Sequence, residues 1–136
     1  MKKKLLALAC ASIMATGMNA QVLFPTPDLY DSGMMNMYIN AARETARARL
    51  DNFMYYYDKA VDAYNDKQWN NVIFYVRKAF ETGYEDKQLY YMRGVAYERQ
   101  GYLKEAKKDF KTALKQGYED AQKALDYLES KEKQRK

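Results

Sequence analysis

From Met34 to Asp66 the chain contains neither proline nor glycine. Over that stretch apolar residues fall at Met35, Tyr38, Ile39, Ala42, Ala46, Leu50, Phe53, Met54, Tyr57, Ala60, Val61 and Tyr64. Steps of three and four predict a helix over 34–66 with one continuous buried stripe. As a single helix it is about 50 Å long. The alternative is a break near Asp51-Asn52, a pair that tolerates turns, and the continuous form is preferred. Shorter amphipathic segments follow. Val72, Val76, Ala79 and Phe80 share a helix face after Trp69, and Gly83 ends that helix. Tyr90, Gly94 and Tyr97 share the next, Gly101-Tyr102 turns the chain, and Ala106, Phe110, Ala113 and Leu114 share the one after, with Gly117 as its stop. Ala121 to about Lys133 reads as a last helix with Ala124, Leu125 and Leu128 inward and a charged outer face. Ahead of all this, Pro25 and Pro27 exclude a regular helix, and Asp31-Ser32-Gly33 is turn and N-cap chemistry, so residues 21–33 read as an extended lead-in.

The chain also repeats itself. Shifted by 34 positions, Tyr56-Tyr57 overlays Tyr90-Tyr91, Val61 overlays Val95, Ala79 overlays Ala113, Gly83-Tyr84-Glu85-Asp86 overlays Gly117-Tyr118-Glu119-Asp120, and Gln88 overlays Gln122. Each unit is therefore a helix, a tight turn and a second helix, with units at 53–86 and 87–120 and a capping helix with a basic tail at 121–136. The small residues Ala60, Val72, Ala79, Gly94, Ala106 and Ala113 sit where two helix backbones must approach, and Tyr90, Tyr97 and Phe110 fill the space beside them. Two units bury too little alone, so the long helix and the last helix are expected to cover the ends.

Tyr90-x2-Arg93-Gly94-x2-Tyr97, then Ala106-x3-Phe110, then Ala113, resembles the tetratricopeptide repeat, whose motif is W-x2-L-G-x2-Y, A-x3-F and a later Ala. The resemblance covers 53–120. Tyr84 and Tyr118 stand in place of the closing proline, Lys59 and Arg93 in place of leucine, Ala63 in place of the second aromatic and Val76 in place of phenylalanine. Lys115 to Gln122 is also similar to the related Sel1-type repeat, but the 34-residue period favours the tetratricopeptide type. The resemblance implies an all-α fold, a right-handed stack of antiparallel helix hairpins. It also implies a concave groove, lined by the first helix of each unit, that binds a protein or peptide partner. The matching positions are Met54, Tyr57, Val61, Tyr64 and Asn65 in the first unit, and Gln88, Tyr91, Val95, Glu98 and Arg99 in the second. Some members of that family clamp a C-terminal carboxylate with lysine and asparagine. The corresponding places here hold Tyr57, Val61, Tyr91 and Val95, so that specificity does not carry over.

Composition narrows the chemistry. The chain has 136 residues, no histidine and one cysteine, Cys10, which removes histidine acid–base catalysis and almost every transition-metal site. Asp58, Asp62 and Asp66 share a helix face, as do Glu105 and Asp109, but lysines flank them and the spacing is that of a solvated surface. No phosphate-binding glycine loop occurs. An enzyme is not expected, and no cofactor or metal is implied. Fourteen tyrosines against one tryptophan suit recognition by large contact surfaces with a polar edge.

Residues 1–20 have the layout of a secretory signal peptide: Lys2-Lys3-Lys4, an apolar run from Leu5 to about Met14, then small residues to Ala20. The run is too short for a permanent membrane span. Ala7 stands where a lipoprotein box prefers leucine before Cys10, so lipidation is not expected. Export, to the periplasm, is the expectation. Removing Lys2, Lys3 and Lys4 takes the formal charge from +5 to +2, and residues 130–136 carry +3 of that, so the body is near neutral and a nucleic-acid partner is not expected. The leading expectation is an adaptor or scaffold in the bacterial envelope. The alternatives are a self-assembling subunit, a homo-oligomer formed through the methionine-rich start of the long helix, and, ranked below it, a carbohydrate binder.

Overall fold

A computed structural model describes residues 32–134, so the leader, Cys10, the Pro25–Pro27 segment, Arg135 and Lys136 lie outside the described residues. The described residues form five α-helices and no strand: α1 Ser32–Asn65, α2 Trp69–Glu81, α3 Lys87–Arg99, α4 Leu103–Lys115 and α5 Asp120–Gln134. The architecture is all-α, built from helices joined by short turns. Ser32 and Gly33, expected in the lead-in, belong to the first turn of α1. First-turn N–H groups make no intrahelical bond, so a glycine there costs less than in a helix interior.

The chain divides into two compact units, residues 1–43 and 44–136. Of the first, the described part is the start of α1. There Met34 and Met35 are half-buried, while Met37, Tyr38, Ile39 and Ala42 are exposed. In the second unit α1 continues unbroken past Asp51 and Asn52. The continuous buried stripe expected along α1 is corrected by these exposures. Leu50 and Met54 are exposed, and full burial begins only at Phe53 and continues at Ala60 and Ala63. The cause is length. The helix that turns back along α1 has only 13 residues, enough to cover the last 13 of α1 and no more.

Within the second unit α3 is the central element because it is apolar on two sides. Leu89, Met92 and Ala96 enter one buried cluster with Phe53, Ala60 and Ala63 of α1 and Val72, Val76 and Ala79 of α2. Tyr90, Tyr91, Val95 and Tyr97 pack against a second cluster, made by Ala106, Phe110 and Ala113 of α4 with Ala121, Leu125 and Leu128 of α5. Full burial of one such leucine stabilises by about 1.5–3 kcal/mol. The equivalents of Leu89, Met92 and Ala96 one repeat earlier are Tyr55, Asp58 and Asp62, all exposed. Where one hairpin offers an apolar face to its predecessor, the first hairpin offers water a phenol and two carboxylates.

The repeated Gly-Tyr-Glu-Asp block ends one helix and starts another. After α4, Gly117 takes φ +85° and its N–H reaches the Leu114 carbonyl at 2.9 Å, while Tyr118 N–H reaches that of Ala113 at 2.9 Å. This closes the carbonyls a helix end leaves open. In the first copy of the block, Asp86 caps α3, its carboxylate accepting from the N–H of Gln88 at 2.8 Å and of Leu89 at 3.4 Å. The same C-terminal closure ends α3 at Gly101 and α1 at Lys67, but Lys67 adopts φ +57° with a side chain attached.

Two of the contacts between α3 and α4 fix how these helices meet. Gly94 faces Phe110, and a Cβ at residue 94 would lie 2.7 Å from the ring. Phe110 is almost wholly buried, so the ring can yield only by disturbing the residues packed around it. One repeat earlier the same two places hold Ala60 and Val76: one carbon more on the first helix, a smaller side chain on the second. Beside this contact, Arg93 donates from Nε to Asp109 Oδ2 at 2.6 Å and from Nη2 to Oδ1 at 2.8 Å. The guanidinium lies 5.2–5.9 Å from the ring centres of Phe80, Tyr90 and Tyr97. Burial works against its charge, but the hydrogen bond and the charge of Asp109 outweigh that and hold it above its ordinary range. Arg93 thus fills the leucine position of the resembled motif as half of a buried, two-pronged ion pair. Lys59, its equivalent, is exposed and rests 5.9 Å from the Tyr55 ring.

Two outcomes follow for stability, both measurable by urea unfolding. Lys67→Gly raises stability by about 0.5–1 kcal/mol, because it removes a Cβ from a left-handed backbone. Gly94→Ala lowers it by about 1 kcal/mol, the overpacking exceeding the gain in helix propensity. Combined with Phe110→Val, which recreates the Ala60–Val76 pairing, the two changes cost at least about 1 kcal/mol less than their sum.

Candidate functional site

The first helices of the hairpins, with α5, frame a groove of about 380 Å³. Its walls are Tyr64 of α1, Tyr91, Val95, Glu98 and Arg99 of α3, and Asp120, Lys123, Ala124 and Tyr127 of α5, with Phe110 of α4 between them. The residues reach it because of the packing described above. Val95 and Tyr91 lie on the side of α3 turned towards the second cluster, and α5 is held by Leu125 and Leu128 so that Ala124 and Tyr127 line the groove.

The aromatic part is braced ring on ring. Tyr91 lies 5.6 Å from Phe110 and 4.8 Å from Tyr118, both tilted, and Tyr64 meets Trp69 edge-on at 5.9 Å. Such pairs fix a side chain beyond what area burial does. Burial pushes the phenols of Tyr64 and Tyr91 above the usual tyrosine range. Neighbouring Tyr118 adds to this for Tyr64, and Tyr64, Tyr118 and Asp120 add to it for Tyr91. Both are neutral hydroxyls at pH 7, able to donate and to accept.

The polar part is internally balanced. Glu98, only 14% exposed at its side chain, accepts from Lys131 Nζ at 3.2 Å and has Arg99 Nε at 3.7 Å. The Lys131 ammonium also sits 4.4 Å from the centre of the Tyr127 ring, and its contacts with Tyr127 and Glu98 raise its pKa above the usual lysine value. Arg99 lies 6.0 Å from the Trp69 ring, and Lys123 pairs with Asp120 at 3.2 Å. The groove thus offers an apolar, tyrosine-rich floor and a rim in which each carboxylate already has a cationic partner.

Of the ten positions named from the sequence, Tyr64, Tyr91, Val95, Glu98 and Arg99 come together here. The other five lie elsewhere. The Tyr57 hydroxyl donates to Gln88 Oε1 at 2.7 Å, so these two bind each other and tie α1 to α3. Val61 packs on the first core cluster, while Met54 and Asn65 are exposed. Sequence reasoning missed Phe110, Asp120, Lys123, Ala124 and Tyr127, all but one of them on α5. The second Gly-Tyr-Glu-Asp block announces another first-type helix there, but the register of the named positions falls on Gln122, Leu125, Glu129, Glu132 and Lys133, which do not line the groove.

Among the described residues no group of acidic, histidine or cysteine side chains could hold a metal ion, and no helix is long and apolar enough to cross a membrane. The family model of the tetratricopeptide repeat matches residues 88–120. No curated protein and no solved structure matches the chain.

The raised phenols give a pH dependence of definite sign. A neutral acid favoured by the fold stabilises fully below its unfolded pKa, near 10 for tyrosine, and the contribution is lost as pH rises through the higher folded value. Unfolding free energy is expected to fall above about pH 10, in step with tyrosinate absorbance. Tyr64→Phe with Tyr91→Phe flattens that fall.

Proposed function

We propose, with residues 88–120 a tetratricopeptide repeat, that the chain binds a protein partner through the groove between α1, α3 and α5 and acts as an adaptor or scaffold without catalysing a reaction. Such repeats generally mediate protein–protein interaction and are typically non-catalytic. The observation that carries the reading is the groove itself: Tyr64, Tyr91 and Tyr127 with Val95 and Phe110, brought together from four helices of one stack. Tyrosine gives wide contact at low conformational cost because only two torsions are frozen. With the rim carboxylates already paired in Lys131–Glu98 and Lys123–Asp120, the binding energy goes into apolar contact, and an apolar peptide side chain seated between Tyr64 and Tyr91 uses it best.

The site of action we propose is the bacterial envelope, most simply the periplasm. The support is the lysine start, apolar run and small residues of positions 1–20. A second reading has an observation of its own. Met37, Tyr38 and Ile39 are 63%, 53% and 41% exposed, and large apolar side chains left in water around the start of a helix suit self-assembly. Light scattering separates the two, since a dilution-resistant oligomer supports assembly.

The test is cross-linked affinity capture from envelope extracts with wild-type protein and with Tyr64→Ala plus Tyr127→Ala. Partners held by the groove are lost or weakened by about thirtyfold in the variant, as for truncated hot spots, while its thermal unfolding stays cooperative. Equal capture by both proteins removes the groove from the interaction.

A further inference from the structure

α4 carries a feature that neither the fold nor the groove uses. Lys104, Lys108, Lys111 and Lys115 recur at intervals of four, three and four residues, which places them in one line along the helix. The line runs about 16 Å at 1.5 Å per residue. All four are exposed, and the buried residues Ala106, Phe110 and Ala113 lie on the opposite side of the same helix. None of the four makes an ion pair among the described residues, whereas Lys107, just beside the line, is held by Glu129 and Glu132. The near-neutral sum of the body therefore conceals a concentrated basic strip.

Packing does not require it. The equivalent places on α2 are Asn70, Phe74, Arg77 and Glu81. Lysines three and four apart repel one another on a helix, and Lys104 stands in the first turn, where the helix dipole disfavours a cation. A costly arrangement that the repeat does not demand calls for a ligand.

We propose that the lysine row of α4 docks the protein on an anionic phospholipid surface. Four ammoniums on one straight edge of a rigid helix can all touch a plane at once. Flexible lysine stems suit diffuse headgroup charge, while the row has no arginine for two-pronged phosphate or base recognition and no interleaved aromatic for stacking on nucleobases. Lysine is depleted from protein–protein interfaces, and the row contains no apolar residue to form the dry centre an interface needs. Phe74, at the α2 place equivalent to Lys108, and Tyr102, just before α4, are 53% and 55% exposed aromatics of the kind that settle at a membrane interface.

The experiment is co-sedimentation of the full chain with phosphatidylcholine vesicles, with and without 30 mol% phosphatidylglycerol as the arbitrary probe composition, roughly physiological salt being used throughout. The proteins are wild type, a variant with Lys104, Lys108, Lys111 and Lys115 all changed to Gln, and one with all four changed to Arg. Wild type binds the anionic vesicles alone, and molar salt releases it. Each lysine near such a surface is worth about fivefold in partitioning, so the glutamine variant loses binding by a factor of a hundred or more, with its thermal unfolding unchanged, and the arginine variant keeps it. Equal partitioning of wild type and the glutamine variant, which would assign any binding to the other lysines of the chain, overturns the proposal. So does binding to soluble polyglutamate or duplex DNA through the row without binding to vesicles. Loss of groove partners leaves this result unaffected, because the row and the groove share no residue.

Discussion

Everything in the second unit depends on two helix backbones coming close enough for their neighbours to interlock, and that approach is made at Gly94. A side chain there would collide with Phe110. Because it is absent, Phe110 packs closely against α3, its ring braces Tyr91, and Arg93, next to Gly94, reaches Asp109 with two hydrogen bonds. The same few cubic ångströms therefore set the helix spacing, bury the ion pair and shape the inner wall of the groove. The other hairpin solves the problem with a different division of volume, Ala60 against Val76, which shows that the quantity under constraint is the filled space and not either residue identity.

The ion pair is a more ambiguous contributor. Replacing both partners by well-packed apolar groups is often neutral or stabilising, while removing one leaves a buried charge without its counterpart. Three aromatic rings around the Arg93 guanidinium soften its loss of water. Its geometric effect is less ambiguous. Two parallel hydrogen bonds fix the rotation of α4 about its own axis, which a contact between hydrophobic side chains controls only loosely.

Much of this was legible in the residues. The hairpin pattern, the seams of small residues and the turn positions could be read from periodicity, glycine and the duplicated Gly-Tyr-Glu-Asp block. What could not be read has physical reasons. Periodicity along α1 reports that one face is apolar, not that anything lies against it, so the exposure of Tyr38, Ile39 and Leu50 was invisible. Arg93 and Asp109 are sixteen positions apart on different helices, and nothing local marks them as partners. Half of the named groove positions reach the groove, four of them from α3 and Tyr64 from α1. The α5 wall is not legible in the repeat, because Asp120, Lys123, Ala124 and Tyr127 lie on a different side of their helix from the one the groove positions of α3 occupy on theirs. Tyr57 and Gln88 were placed on the right helices, but each satisfies the other.

The exposed trio Tyr55, Asp58 and Asp62 has a wider implication. A linear array of like modules has no built-in stopping point, since whatever lets one module sit on another also lets a third join. Termination must therefore be written into side chains. Here the face that would receive another module carries a phenol and two carboxylates in place of apolar side chains. That face is therefore where a designer would begin in turning a short array into a longer one.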